Sequence, residues 1–292
     1  MVREHPVSEA DVLKLEEEKE EELVSLAKKH RACLLCLIAP FIPERVAPGL
    51  AVYAELRYPE ELLIEEFVNI VDERFPEEKP QLFILIHSPG GFINSAYIIA
   101  KTLRSRFKRM VAFIPHIAAS GAALLALACD EIVMGDISRL TPIDPYFREN
   151  DKIIYPKSVL SALSVLEGYF KTIREEEAPY PYKHLANQLN PELVDRCARL
   201  LDLVKKYARE LLEKAEYDEE RIEKILKGIV DEPSIHDEVL TLERLKNLGL
   251  RAYHYKEKKE YISMWKIMRK WLEKYYFKPS RIHIIRYVIP PR

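Results

Sequence analysis

The amino-acid sequence predicts an α/β protein in which helices cover a mostly parallel sheet. Short apolar runs alternate with amphipathic segments from residue 33 to residue 134, and this alternation is typical of parallel strands connected by helices. Beyond Pro145 the chain becomes mostly helical, before a last β/α-like piece at 241–255. With 292 residues, 48% of them apolar, the chain is long enough to bury a sizeable core and to carry a helical extension.

The predicted elements of the first half follow one another in a regular order. A charged helix is expected at 8–30, with Ser8 as its N-cap. Strands and helices then alternate: the predicted strands are 33–39, 50–55, 82–87, 109–114 and 131–134, and the predicted helices are 60–75, 92–106 and 120–128.

The second half is predicted to be mainly helical. A strong period of 3.6 residues marks a helix within 191–215. A helix that ends at Gly249 precedes a short strand, and an aromatic-rich helix is expected at 259–276. The tail "RIHIIRYVIP" is apolar enough to be an edge strand or an intersubunit arm. We therefore divide the chain into a charged N-terminal helix (1–30), a main domain (31–255) containing a helical segment (157–227), and a C-terminal helix and tail (256–292).

Charge and cysteine content exclude several classes of protein. The 45 basic and 47 acidic residues are well mixed and give a net charge of -2, so we expect neither nucleic-acid binding nor attachment to an anionic membrane. Cys33 and Cys36 have C-x-x-C spacing, but in a strand residues three apart point to opposite faces, which predicts inert core cysteines. The first 30 residues contain no apolar signal-peptide region, so we expect a cytoplasmic protein.

The longest apolar run, Met110 to Cys129, has the length of a membrane span. However, Pro115 and His116 interrupt it, and Ser120–Gly121 follow. The run is better interpreted as a buried strand, a short irregular link and a helix that begins at Ser120. We therefore expect no stable membrane insertion.

A serine at a helix start is a favourable place for nucleophilic chemistry. Free backbone N–H groups and the positive end of the helix dipole stabilise an oxyanion there. Upstream, Gly90–Gly91 lie between a predicted strand and helix, where they can direct further N–H groups towards the serine. The simpler interpretation is that Ser120 is a helix cap and that Pro-Gly-Gly is a turn.

Several motifs in order resemble one known superfamily. They are "HSPGGFINSAYIIAKTL" at 87–103, "IPHIAASGAALLALACDEIVMG" at 114–135, "LTPIDP" at 140–145 and "SIHDEVLTLERLKNLGL" at 234–250. Together they resemble the Clp-protease/crotonase superfamily, and most of all the serine dehydrogenase proteinase group, which is related to signal peptide peptidase A. The resemblance covers roughly 80–250.

The resemblance implies a ClpP/crotonase-like fold of repeated β/α units with a helical C-terminal extension. It also implies an intracellular serine peptidase-like hydrolase that acts on a peptide or protein substrate through an acyl-enzyme. Ser120 corresponds to the nucleophile, and Gly90, Gly91 and Gly121 correspond to the oxyanion site. Members of the superfamily form rings or stacked trimers, so a homo-oligomer is expected, with 157–227 and the tail as candidate interface elements.

The general base is where the sequence departs from the Clp pattern. A His is expected in the loop at 141–145, but that loop reads "TPIDP". His236 paired with Asp144 is one substitute, because "HD" at 236–237 matches the region of the Clp triad's acid. His116 and His87 are near in sequence to Ser120 and Gly90, although core or hydrogen-bonding roles are the simpler interpretation for both.

A lysine base, as in signal peptide peptidase A, is the other substitute. Lys157 and Lys171 follow the "IDP" loop, and either would need burial to lower its pKa towards neutrality. A degenerate site, or a group supplied by another subunit, also remains open.

Two further functions remain as alternatives. A catalytically silent Clp-like scaffold would explain the missing histidine, and a crotonase-type acyl-CoA enzyme would use the same N–H donors on a thioester enolate. Neither a metal nor a cofactor is expected, because His236-Asp237 stands alone as a pair of ligands and Gly90–Gly91 lack the spacing of a nucleotide-binding loop.

Overall fold

A mostly parallel sheet forms the centre of the computed structural model, which describes residues 15–40, 54–149, 152–233, 235–278, 280 and 282–291. Its strands belong to the following set: β1 (Glu16–Glu17), β2 (Ala32–Ile38), β3 (Gln81–His87), β4 (Arg109–Ile114), β5 (Ile117–Ala118), β6 (Glu131–Met134), β7 (Arg139–Leu140), β8 (Phe147–Glu149), β9 (Lys152–Ile154), β10 (Ala252–His254) and β11 (Ile284–Val288). Seven of them are ordered β1-β11-β2-β3-β4-β6-β10, and within this sheet only the β11–β2 pair is antiparallel.

The helices of the described chain are α1 (Glu21–His30), α2 (Tyr58–Arg74), α3 (Ile93–Arg106), α4 (Gly121–Leu127), α5 (Pro156–Phe170), α6 (Tyr180–Gln188), α7 (Pro191–Lys214), α8 (Glu219–Leu226), α9 (Leu242–Asn247) and α10 (Lys259–Tyr275). A single π-helical turn, Lys227–Asp231, follows α8. The predicted α/β architecture is therefore confirmed.

The chain divides into two compact units. The first consists of Met1–Ile143 and Ala208–Arg292 and contains the seven-stranded sheet. The second, Asp144–Tyr207, contains the β8–β9 hairpin, α5, α6 and most of α7. Ser120, Gly121 and the Gly90–Gly91 pair lie in the first unit.

Buried apolar strands build the core of the first unit. All seven residues of β2 are buried, as expected for a strand covered on both faces by other elements. Cys33 and Cys36 lie within it as free thiols, and burial raises the pKa of Cys33 to about 12. These two cysteines are inert core residues, as predicted from their spacing.

Aromatic side chains of α10 cover one face of this sheet. Tyr261, Trp265 and Trp271 belong to one buried cluster together with residues of β2, β3 and β4. Gly135, directly after β6, allows this close packing, because a Cβ there would lie 2.6 Å from the Trp265 ring.

Two terminal predictions need correction. Residues 8–14 of the predicted 8–30 helix lie outside the described residues, but α1 begins only at Glu21, because Glu16 and Glu17 pair with Arg286 and Tyr287 instead. The tail is neither an edge strand nor an intersubunit arm here, since β11 lies between β1 and β2. The predicted strand at 50–55 falls mostly outside the described residues, and Ala54 and Glu55 are not in a strand.

The long apolar run is divided as the sequence suggested. It forms β4, a turn with the two-residue strand β5, and α4. Within the described part of the chain, no helix combines the length and the apolar character needed to cross a membrane.

Candidate active site

Ser120 lies on a strained turn between β5 and α4. Its backbone has φ 49° and ψ -116°, a left-handed conformation that costs an L-residue on the order of 1–3 kcal/mol. Ser120 is 7% exposed, and α4 begins at the next residue. A sharp, strained strand-to-helix turn of this kind presents the nucleophile in many hydrolases.

A short ladder of backbone hydrogen bonds holds this turn. We call it the site ladder: Ser88, Ile117–Ala118, Arg139–Leu140 and Leu240. Ser88 donates its N–H to Ile117 O (3.1 Å) and accepts the Ala119 N–H (2.9 Å), while β5 pairs in parallel with β7. Leu140 and Leu240 exchange both of their backbone bonds. The ladder joins four separate chain segments beneath the serine.

Thr141 anchors the serine backbone from the end of this ladder. The Ser120 N–H donates to Thr141 Oγ1 at 3.0 Å, and both residues are buried. The sequence did not predict this role, since the 141–145 loop stands out there only for its missing histidine. A hydroxyl directly after the strand that follows the serine helix was the available signal.

The Gly90–Gly91 loop packs directly against the serine turn. Gly90 has φ +95°, and a Cβ there would lie 2.5 Å from Ala119 O and 2.7 Å from Gly121 N. Gly91 has φ +153°, and a Cβ there would overlap the backbone of Leu56, which pairs with this loop through Leu56 N–H to Gly90 O (2.7 Å). Only glycine fits either position without movement of the chain.

Two backbone N–H groups near Ser120 have the chemistry to donate to an oxyanion. The Gly121 N–H belongs to the first turn of α4, where helical groups have no partner within the helix, and the Gly91 nitrogen lies 3.4 Å from the position of a Cβ on Gly121. Among the described residues, neither N–H donates a hydrogen bond to a backbone acceptor. In contrast, the Gly90 N–H donates to Ser88 Oγ at 3.0 Å.

Behind the glycine loop lies a set of side chains whose contacts were not predicted from the sequence. His283 Nε2 is 2.8 Å from Ser88 Oγ, and His283 Nδ1 is 3.1 Å from Glu60 Oε1. All three residues are buried. A polar residue inside the apolar tail was the only sequence signal for His283.

His87 and His116 stack on each other at the end of the central strands, with ring centroids 5.4 Å apart. Burial, followed by the charge of His116, lowers the pKa of His87 to about 3. Burial also lowers the pKa of His116. A general base works best with a pKa near the working pH, so His87 is poorly suited to that role.

His236 belongs to the same unit as Ser120 and is half-buried in a turn. It lies four residues before Leu240, whose backbone pairs with Leu140 in the site ladder. Its neighbour Asp237 is exposed. The chain segment that carries His236 is thus attached to the ladder that holds the serine turn.

The other candidate residues belong to the second unit. Asp144 is buried at 4% exposure, and Lys157 is half-buried in the first turn of α5. The Lys171 side chain is 70% exposed and forms an ion pair with Glu167 at 3.1 Å. A solvated, ion-paired amine lacks the burial that activates a lysine base.

The side chains that could bind a metal ion are dispersed in the described part of the chain. Across the residues that the structure describes, no three His, Cys, Asp or Glu side chains come together in a group that could hold an ion. The donors at the site are instead backbone N–H groups and hydroxyls.

Comparisons with known proteins place this geometry in a family. The profile described as "ClpP-like SDH-type serine proteinase" matches residues 64–271, more than two thirds of the chain. Two proteins of Methanocaldococcus jannaschii, the uncharacterized proteins MJ1495 and MJ0137, are each 31% identical to it, over 180 and 175 residues. These matches cover 61% and 60% of this chain but 53% and 54% of the relatives, so the chain spans about half the length of the curated relatives it matches.

A solved structure is also similar. It is an alanine mutant of 1510-N, a membrane-bound stomatin-specific protease, with a TM-score of 0.42 and 14% identity over 68% of this chain and 74% of that one. The family match, which contains Ser120, Gly91, Gly121 and α9, confirms the resemblance of the sequence to this group. The chain belongs to the ClpP-like SDH-type serine proteinases.

Proposed function

We propose that this protein is a serine peptidase that cleaves peptide bonds through an acyl-enzyme on Ser120. The observation that carries the proposal is the backbone of Ser120: a non-glycine residue with φ 49° at the start of a buried helix, beside two glycines with positive φ. A fold retains such strain where the surroundings impose it, and strained residues cluster at active sites. A plain helix cap needs no left-handed backbone, since N-cap residues normally lie in the β region.

The chemistry follows from the groups around the serine. Ser120 Oγ gives its proton to a base and attacks the peptide carbonyl carbon, and the oxygen of that carbonyl becomes the oxyanion. The N–H groups of Gly91 and Gly121 donate to it. The protonated base then gives the proton to the departing amine, which leaves an ester on Ser120 that water hydrolyses. Loss of a single oxyanion donor typically costs about 10²–10³ in kcat.

We propose His236 as the base, with Asp144 as the carboxylate that orients it. The attachment of the His236 segment to the site ladder through Leu240 and Leu140 supports this choice. Lys157 is the alternative, since it is half-buried and burial is what a lysine base requires. Lys171, exposed and paired with Glu167, has less support.

A homo-oligomer remains part of the proposal. The second unit exposes large apolar side chains on α5 and α6, namely Leu163, Val165, Tyr180 and Leu185. Apolar surface of this kind is typical of interaction sites. We also propose an intracellular location, because all four cysteines are free and buried, as is usual in reducing compartments. Light scattering after size exclusion tests the assembly, and a monomer at micromolar concentration would contradict it.

Hydrolysis of an unfolded, fluorescently quenched protein substrate tests the activity. The wild-type chain should release fluorescence, and Ser120→Ala should reduce the rate to background while the melting temperature changes little. Ser138→Ala is the matched control, because Ser138 is also a buried serine at a turn. Equal rates in wild type and Ser120→Ala would refute the proposal, and so would an inactive wild-type oligomer, which would favour the silent scaffold.

A further inference from the structure

Three buried side chains converge behind the glycine loop from distant parts of the sequence. Ser88 directly follows β3, Glu60 lies in the first turn of α2, and His283 immediately precedes β11. Ser88 is fully buried, Glu60 is 1% exposed and His283 is 2% exposed. Burying polar groups of this kind destabilises the fold unless all of them are hydrogen-bonded. The partners of these three side chains therefore indicate their role.

Their hydrogen bonds form one continuous chain. Glu60 Oε1 accepts both the backbone N–H of His283 (3.1 Å) and a bond from His283 Nδ1 (3.1 Å). Glu60 Oε2 accepts the Arg57 N–H at 3.0 Å. With the proton on Nδ1, Nε2 becomes the acceptor for the Ser88 hydroxyl at 2.8 Å. Ser88 Oγ in turn accepts the Gly90 N–H at 3.0 Å.

The carboxylate end of this chain is charged. Burial acts to raise the pKa of Glu60, but the hydrogen bonds from the His283 ring, the His283 N–H and the Arg57 N–H outweigh it, and the pKa is lowered. An ionised Glu60 fixes the imidazole tautomer through the Nδ1–H bond. The Ser88 hydroxyl hydrogen therefore points to the ring, and its oxygen lone pairs face the Gly90 N–H.

These groups have the order of a Ser-His-Glu triad, yet they do not face a substrate. Ser88 and the His283 side chain have no exposed surface, and both ring nitrogens of His283 are engaged within the chain. A carbonyl group cannot reach Ser88 Oγ. The chain of hydrogen bonds ends instead at the Gly90 peptide. This peptide packs closely on the serine turn, because a Cβ on Gly90 would lie 2.7 Å from Gly121 N.

We infer that Glu60, His283 and Ser88 form a buried relay of positioning residues that fixes the Gly90–Gly91 loop, and with it the oxyanion donors of the Ser120 site. This inference rests on the proposed function. The Gly90 O is held by the Leu56 N–H at 2.7 Å, and the relay holds the Gly90 N–H on the other side of the same residue. The Gly91 N–H lies in the same planar peptide as Gly90 O, so without the relay that peptide keeps its bond to Leu56 but the peptide before it, which carries the Gly90 N–H, loses its restraint and the loop can shift relative to the serine turn. Ser120 itself makes no bond to the relay.

The rate of phosphonylation of Ser120 by a fluorophosphonate probe tests this inference, because the probe's P=O oxygen becomes an oxyanion-like group that needs the same donors. Ser88→Ala should lower the second-order labelling rate by about 10- to 100-fold, less than the roughly 10²–10³-fold loss of a donor itself. His283→Ala should lower the rate similarly, and His283→Gln, whose Oε1 can accept from the Ser88 hydroxyl in place of Nε2, should retain more of it than His283→Ala. On hydrolysis of a peptide, Ser88→Ala should lower kcat and leave KM within about twofold, as expected when only the transition state is affected.

Ser138→Ala is the matched control for a merely structural effect. Ser138 is a buried serine whose Oγ accepts the Gly135 N–H at 2.8 Å, the same kind of bond as Ser88 Oγ makes with Gly90. Both alanine variants should lose a few degrees in melting temperature, on the order of 2–4 °C, but only Ser88→Ala should lose labelling rate.

The outcomes separate the relay from the proposed function. A wild-type protein that is never labelled refutes the peptidase proposal and the relay with it. A wild type labelled at Ser120, with Ser88→Ala reacting at the same rate, refutes the relay alone. Labelling at Ser88 rather than Ser120 also overturns the relay, since Ser88 would then be a nucleophile.

Discussion

Replacing Gly90 by alanine tests how the glycine loop and the serine turn depend on each other. An alanine at φ +95° carries about 1–2 kcal/mol of left-handed strain. Its Cβ would also lie 2.5 Å from Ala119 O and 2.7 Å from Gly121 N, and overpacking of this kind typically costs about 1–3 kcal/mol. The smaller entropy of the unfolded alanine chain returns roughly 0.4–1 kcal/mol.

The net free energy of unfolding should therefore fall by roughly 1–5 kcal/mol. At about 2–4 °C per kcal/mol, the melting temperature should drop by roughly 2–20 °C. Activity should fall further than stability explains, because the added methyl group displaces the Gly121 N–H, and loss of one oxyanion donor costs about 10²–10³ in kcat. Circular-dichroism melting and peptide hydrolysis measure the two effects on the same samples.

Gly168→Ala is the matched control for this substitution. Gly168 lies within α5, and a Cβ there meets nothing within 4 Å, so the change should stabilise the chain by about 0.5–1 kcal/mol and leave the rate unchanged. If Gly90→Ala melts and hydrolyses like the wild type, the close packing of Gly90 on the serine turn is not needed, and the reasoning about the site is wrong.

Three further predictions concern the anchor, the base and the acid limb of stability. Thr141→Val removes the acceptor for the buried Ser120 N–H and should lower the free energy of unfolding by about 1–3 kcal/mol in urea titrations. An unchanged midpoint would argue against the anchor. His236→Ala should lower the hydrolysis rate by roughly 10²–10⁴-fold, whereas replacing the exposed His184 should leave the rate unchanged. If Lys157→Ala causes the loss instead, and the rate rises towards alkaline pH, the base is a lysine. Because the pKa of Glu60 is lowered in the fold, this carboxylate stabilises the fold above its unfolded pKa, near 4.5, and this stability is lost as the pH falls through the lower folded value. Glu60→Gln should therefore weaken the pH dependence of the unfolding free energy below pH 4.5. An unaltered pH dependence would contradict the linkage.

Local patterns were sufficient to predict the part of the fold that carries the serine. The strand at 109–114, the break at Pro115 and His116, and the helix after Ser120 follow from an apolar run whose interruptions lie next to one another in sequence. The same holds for the Gly90–Gly91 turn, because the need for positive φ is met by the glycines themselves. The family resemblance rested on these local motifs.

Contacts between segments that are distant along the chain could not be predicted from the sequence. His283 lies 195 residues from Ser88 and 223 from Glu60, and no periodicity links such positions. The placement of β11 between β1 and β2 was missed for the same reason, since an apolar strand carries no mark of which neighbours it will pair with. Thr141 could have been noticed, but a hydroxyl in a loop becomes an anchor only through the fold around it.

The site of covalent labelling tests the central claim most directly. The assembled wild-type protein is treated with a fluorophosphonate probe, digested, and the modified peptide is sequenced by mass spectrometry. The account predicts a single adduct on Ser120, absent from Ser120→Ala and retained in Ser138→Ala. An adduct on any other serine, or none on a folded and assembled protein, would contradict it.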